Sequence, residues 1–275
     1  MIFDRQIPSA AYGILRQNAP VSFLDEAAEQ VKNLGYAVLD SGYSAIELEN
    51  ISDEFNLVRE RYIQTNGESH LRSIDEFHTI RALLTHGGET FLKLAFNHNL
   101  ISMLKTLIPG KFILNQQNGV INPPLETYNQ SAWHRDLPYQ HFVSSKPLAI
   151  NALFCVDDFT VENGATFVLP ASHKSEEYPS EGYVQKQAIQ VEGKAGSFLL
   201  LDCMMFYAGG FNTTQKERRA VNHVFNIPYF KQQINIPMNM NNLNLSAEQR
   251  EILGFTYAEP VSISSFLLKR AGERQ

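Results

Sequence analysis

Only two of the 275 residues are cysteine, one is tryptophan and eight are histidine. Cys155 and Cys203 form neither a disulfide framework nor a metal-ligand spacing. Each sits in an apolar run, LFCV and LLLDCMMF, so they read as buried thiols of a reducing compartment. No stretch approaches the ~18 consecutive apolar residues of a membrane span. The opening MIFDRQIPSAAYGILRQ lacks the charged-then-apolar layout of a signal peptide. A cytoplasmic protein with no membrane partner is expected. Positive charge is not in excess either: 23 Lys+Arg against 29 Asp+Glu gives −6. That excludes a globally basic nucleic-acid binder, and no nucleic-acid partner is expected. With 44% hydrophobic and 19% charged residues, disorder and collagen-like sequence are excluded as well.

What remains is an enzyme-sized chain, long enough to bury about three-quarters of the surface its unfolded form exposes. Ser22 or Asp25 can cap a helix through DEAAEQVKNLG, Gly35 ends it, and YAVLD follows as a strand. Ser44 then opens a second helix on which Ile46, Leu48, Ile51, Phe55 and Leu57/Val58 recur at helical spacing. A further helical block is expected from about Ile80 to Leu107. After Pro109-Gly110 come short β-rich runs to about Phe230, among them KFILNQQNGVI, PLAINALFCV, ATFVL, YVQKQAIQV, SFLLLD, MMFYA and RRAVNHVFNI. Short strands separated by Pro, Gly, Asn and Ser, without helices between them, indicate an antiparallel barrel or sandwich. Ser246 caps a short AEQREIL helix in the tail. The reading is one domain over 1–275: a helical N-terminal layer (1–110), a β-barrel core (111–230) and a C-terminal extension (231–275).

The sharpest chemical feature is Trp133-His134-Arg135-Asp136 in an extended stretch. Side chains two apart on a strand point the same way, so His134 and Asp136 offer an imidazole nitrogen and a carboxylate oxygen to one point. Two histidines and a carboxylate on one face of a six-coordinate ion form the triad of non-haem Fe(II) oxygenases. Alone, a His-x-Asp is more often a surface pair.

Further segments follow in order: Glu162-Asn163-Gly164-Ala165, Pro170-Ala171-Ser172-His173, Gly196-Ser197-Phe198-Leu199-Leu200-Leu201-Asp202, Gly209-Gly210-Phe211-Asn212-Thr213-Thr214, and Arg218-Arg219-Ala220-Val221. The series resembles the phytanoyl-CoA dioxygenase family of Fe(II)/2-oxoglutarate oxygenases over roughly residues 30–230. It is specific in combination, though no single motif is. The resemblance implies a double-stranded β-helix of the jelly-roll or cupin type, with Fe(II) as cofactor and 2-oxoglutarate as cosubstrate. It implies hydroxylation of a small-molecule metabolite, with succinate and CO2 as co-products. His134 and Asp136 match the first two iron ligands, and Arg218 matches the arginine that grips the distal carboxylate of 2-oxoglutarate. Asn115 and Gln117, on one face of the first barrel strand, resemble the polar residues lining the cosubstrate pocket, or are ordinary strand polars. Asp136 argues against the halogenating branch of the family, where a small residue stands at that position.

One position departs from the pattern. The family's second histidine ligand stands eleven residues before the arginine, and that position is Tyr207. Four readings compete. Tyr207 ligates iron as phenolate or stands beside a water that does; His173 or His223 substitutes; the barrel has lost iron chemistry and binds a ligand; or the tyrosine is an introduced replacement. His173 reads as a turn residue, and His223, an odd number of residues from Arg218, belongs to the opposite strand face. The remaining histidines lack ligand-like pairing. Arg135 and Trp133 should face off the metal side, and Arg219 should be a surface charge. Tyr139, just past Asp136, is a candidate for lining the substrate pocket. An oxygenase is favoured over a binding module on the same barrel, because the set His134, Asp136 and Arg218 has no evident use without the cosubstrate. A cupin-like isomerase gives Arg218 no role. Substrate identity and oligomeric state are not legible here.

Overall fold

The Ser22 hydroxyl accepts from the Asp25 N–H, Asp25 and Glu26 occupy the first turn, and Gly35 closes the last one at φ 88°. These start and stop signals bound α1 (Phe23–Leu34), which runs into β1 (Tyr36–Asp40). Ser44 and Glu47 satisfy each other's backbone donors at the start of α2 (Ala45–Asn66), which buries Ile51, Phe55 and Val58. Ile46 and Leu57, expected in that stripe, are exposed, so the buried face is narrower than the spacing suggested. The computed structural model describes residues 7–86, 88–137, 141–240 and 244–272.

The continuous helical block expected from Ile80 is broken up. After α3 (Glu68–Ser73), Ile80 lies in a short strand, β2 (Thr79–Ile80). Then come α4 (Thr90–Ala95) and α5 (His98–Leu107), divided where Asn97 caps α5 by accepting from Leu100 N–H. A buried Asn cap restarts the helix, which an apolar stripe alone does not reveal. The apolar positions Phe91, Leu94, Leu100, Met103 and Leu104 are buried as expected.

The β region comprises β3 (Ile113–Asn122), β4 (Ala149–Cys155) and β5 (Thr166–Val168), then β6 (Ile189–Val191), β7 (Ser197–Asp202), β8 (Tyr207–Ala208) and β9 (Arg218–Asn226). YVQKQAIQV, expected as a strand, is mostly the helix α6 (Glu181–Gln187). Val184 is its buried residue, and only the last three positions join a sheet. The tail carries α7 (Ile236–Asn239), α8 (Ala247–Ile252), capped by Ser246 as expected, and α9 (Ile263–Gly272). No helix among the described residues is long and apolar enough to cross a membrane.

Two sheets form, with strand orders β1-β7-β4-β9-β3-β2 and β6-β5-β8, antiparallel at every pair. Alternation sorts the large sheet into two faces. Ala152, Phe154, Phe198, Leu200, Val221 and Phe225 pack with the helices; Leu153, Cys155, Leu199, Leu201 and Ala220 pack with Val168, Val191 and Tyr207 of the small sheet. The architecture is mainly β with a helical layer, a jelly roll whose two sheets face each other without closing into a continuous barrel.

Two of the family-like turns touch where backbones pass closest. Gly164 has φ 77°, and a Cβ there would stand 2.3 Å from the Gly210 carbonyl oxygen. Gly164→Ala is therefore expected to destabilise the fold by about 3 kcal/mol, combining left-handed strain with overpacking. Urea unfolding reads this directly, and an unchanged midpoint contradicts it.

Candidate functional site

His134 forms a lone bridge with Tyr207, each backbone N–H donating to the other's carbonyl at 3.0 and 3.1 Å. That pairing extends the small sheet by one segment and sets the His134 ring against the Tyr207 ring, with centroids 4.4 Å apart. The His134 Nδ1 lies 2.8 Å from the Ala132 carbonyl. A carbonyl only accepts, so Nδ1 carries the proton and Nε2 keeps its lone pair for a metal.

Asp136 is the meeting point of the site. Tyr207 Oη donates to Oδ1 at 2.6 Å, Asn151 Nδ2 donates to Oδ2 at 2.9 Å, and Cys203 Sγ stands 3.6 Å from Oδ2. Asn151 also reaches the Tyr207 hydroxyl at 3.2 Å. Burial, then the neighbouring Asp136, pushes the Tyr207 phenol well above its ordinary value, so it is held as a proton donor. Burial does the same to Cys203, an inert thiol. His134, Asp136 and Tyr207, named from the sequence, are thus brought together. Among the described residues no cluster of three or more His, Cys, Asp or Glu is placed to hold a metal.

Arg218 enters the same interior from β9. It is 2% exposed, and among the described residues Nε and Nη1 have no hydrogen-bond partner. Nη2 reaches Tyr128 Oη at 3.3 Å, and the guanidinium lies 3.9 Å over the Phe159 ring. A buried cation without a paired anion is costly, and its planar fork of donors suits a carboxylate. Arg219, next along the strand, faces the helices. It makes two contacts with Asp157, at 2.6 and 3.0 Å, and reaches Ser52 and Asn56 of α2. It is a half-buried anchor rather than the surface charge expected.

Asn115 and Gln117 do not share a strand face, and neither lines the cavity that holds His134 and Asp136. The β3–β9 register slips between Leu114 and Gln116, leaving Asn115 in a bulge where its amide donates to the Lys231 carbonyl. The slip turns Gln117 toward the helices, where its Nε2 donates to the Phe91 carbonyl and to His223 Nε2. The residues facing the cavity are instead Gln116, Asn118 and Val120, with Asn222 from β9. That cavity, of about 350 Å³, is also lined by His134 and Asp136. Tyr139 lies outside the described residues.

The other sequence candidates have structural roles. His173 Nε2 donates to the Lys32 carbonyl at 3.3 Å, and Ser172 Oγ accepts from Phe206 N–H. His223 is fully buried on the helical face, donating from Nδ1 to the Ala152 carbonyl. Arg135 turns its guanidinium over the Phe206 ring and donates to the carbonyls of Ser172, Ser175 and Glu176. Trp133 packs with Leu169, Val184 and Phe206, as expected of a residue off the metal side.

Two buried groups pull acid stability in opposite directions. Burial lowers His223 from 6.5 to about 4 and raises Asp202 from 3.8 to about 6. As pH falls from 6.5 toward 4, the unfolded chain protonates at position 223 before the folded one, and stability drops. Between pH 6 and 4 the folded chain protonates first at Asp202, and stability rises. Each shift corresponds to about 3 kcal/mol, so the two oppose one another. Asp202→Asn is expected to lose about 2 kcal/mol more than the unaltered chain between pH 6.5 and 4.5 in urea unfolding. Parallel losses in both chains contradict this.

Two facing antiparallel sheets, with a His-x-Asp segment on the small one and a buried arginine on the large one, define a double-stranded β-helix of the cupin type. The chain belongs to the phytanoyl-CoA dioxygenase family, whose pattern matches residues 31–220. It is 30% identical over 242 residues to the uncharacterized protein Rv1501 of Mycobacterium tuberculosis, covering 84% of this chain and 87% of that one. The fold is shared with EctD from S. alaskensis, solved with 2-oxoglutarate and 5-hydroxyectoine: TM-score 0.62, 19% identity, 78% and 79% of the two chains. It is also shared with the epimerase SnoN, solved with Fe3+, alpha ketoglutarate and nogalamycin RO: TM-score 0.57, 16% identity, 82% and 91%.

Proposed function

We propose that this chain is an Fe(II)/2-oxoglutarate-dependent dioxygenase that hydroxylates a small-molecule metabolite, with succinate and CO2 as co-products. The observation that carries the reading is Arg218: a buried guanidinium with two unpartnered nitrogen atoms, on the interior face of the domain that also presents His134 and Asp136. The distal carboxylate of 2-oxoglutarate supplies the missing anion. His134 Nε2 and Asp136 hold the metal, and Tyr207 occupies the third-ligand position. Its phenolic oxygen and the metal compete for the same carboxylate, so this donor set is weaker than one completed by a second histidine. When bound, iron and 2-oxoglutarate supply the oxidation of a C–H bond. The chain orients the target carbon and excludes water, with Asn151 fixing Oδ2 of the Asp136 carboxylate while Tyr207 holds Oδ1. The membership in a dioxygenase family, and the iron and 2-oxoglutarate named in the SnoN structure, support the same assignment.

The hydrogen bond from Tyr207 to Asp136 favours a second reading, a ligand-binding barrel without iron chemistry. Succinate formation from 2-oxoglutarate separates the two. It is expected to require Fe(II) and to vanish in His134→Ala; its absence in the unaltered chain, with Fe(II) present, leaves the binding barrel. The chain works as one domain, and its two buried, reduced thiols suit the cytoplasm.

A further inference from the structure

The cavity beside His134 and Asp136 has an unusual wall. Of its thirteen described lining residues, six are asparagine or glutamine, and among them only Val120 and Ala132 are apolar. Small-molecule pockets are lined mainly by apolar and aromatic side chains, and 350 Å³ is at the small end of their range. An alkyl chain seated here would strip water from the amides and return no hydrogen bonds, which excludes an acyl substrate.

Charge narrows the choice further. Arg81 is held by both carboxylate oxygens of Glu76, its Nε at 2.7 Å, and its Nη1 reaches Gln233. Arg135 is engaged by three backbone carbonyls. Asp136 is the one acid among the described lining residues, and its carboxylate is held by Tyr207 and Asn151. A free phosphate or an ammonium group therefore meets only charged groups whose hydrogen bonds are already committed.

The amides are also arranged to offer donor and acceptor side by side. Gln116 Nε2 donates to Asn222 Oδ1 at 3.2 Å, which leaves Gln116 Oε1 and Asn222 Nδ2 unused among the described residues. Asn118 Nδ2 donates to Gln233 Oε1 at 3.1 Å and leaves Gln233 Nε2. A hydroxyl both donates and accepts, so adjacent hydroxyls satisfy such a wall. We propose that the molecule seated in this cavity is a small, neutral, polyhydroxylated compound of the sugar or cyclitol class, recognised by the Gln116–Asn222 pair. That it is the substrate rests on the oxygenase reading above; that it binds does not.

Saturation-transfer NMR on the full metal-free chain tests the proposal, with D-glucose, D-galactose and myo-inositol as probes and S-octanoyl-N-acetylcysteamine as the acyl competitor. At least one polyol is expected to bind saturably. That binding should weaken at least tenfold in Gln116→Leu and in Asn222→Leu, and the thioester should not displace it. Thermal unfolding of each variant confirms its fold, and either folded variant suffices. No polyol binding, binding unchanged in the variants, or displacement by the thioester overturns the proposal. Polyol binding without Fe(II)-dependent succinate formation removes the oxygenase reading and leaves this one standing; succinate formation without polyol binding does the reverse.

Discussion

Tyr207→His is expected to tighten Fe(II) binding at least tenfold. The phenol is buried, and both burial and the adjacent Asp136 push its pKa well above the ordinary range. To act as a ligand at pH 7 it must release its proton, which costs even an ordinary phenol of pKa about 10 about 4 kcal/mol before any metal contact forms. It must also surrender the 2.6 Å hydrogen bond to the carboxylate that binds the same metal. A neutral imidazole brings a lone pair with no proton to lose, from a position whose ring already lies against His134. Competition against a fluorescent chelator without oxygen reads the change. Equal or weaker affinity means that position 207 is not the third-ligand position.

Arg218→Met is expected to weaken 2-oxoglutarate binding by at least a hundredfold, while raising the unfolding midpoint of the ligand-free chain. The two effects share one cause. A guanidinium buried against Phe159 and a single tyrosine hydroxyl is a burden on the empty fold, relieved when a carboxylate arrives. Truncating one partner of such a buried charged pair costs about 2–5 kcal/mol of binding. Arg218→Lys keeps the charge and loses the fork, so it falls between the two. Titration calorimetry with 2-oxoglutarate and thermal unfolding measure both halves. If the variant binds 2-oxoglutarate as the unaltered chain does, Arg218 is not the carboxylate anchor.

The sequence made β9 legible because its alternation is uninterrupted. Arg218 faces the interior, while Arg219 and His223 face the helices, as two-residue periodicity requires. The same rule misplaced Asn115 and Gln117, because a one-residue bulge inverts every side chain that follows, and nothing in LNQQNG marks where it falls. Asn222, four residues beyond Arg218 on its face, was within reach of the alternation argument. Tyr128 and Asn151 were not, because their contacts with Arg218 and Asp136 join segments 90 and 15 residues apart. The motif residues Asn163, Gly164, His173 and Asn212 turn out to hold turns together. Asn212, for instance, donates to the Asn122 and Lys216 carbonyls and accepts from Thr214. They mark the family because the fold needs them, while the proposed chemistry rests on His134, Asp136 and Arg218.

The central claim is tested most directly by titrating the chain with Fe(II) and 2-oxoglutarate in the absence of oxygen and following the visible spectrum. A saturable metal-to-ligand charge-transfer band, lost in His134→Ala and in Arg218→Met, is the expected result. No band, together with no metal retained at one equivalent per chain, contradicts it.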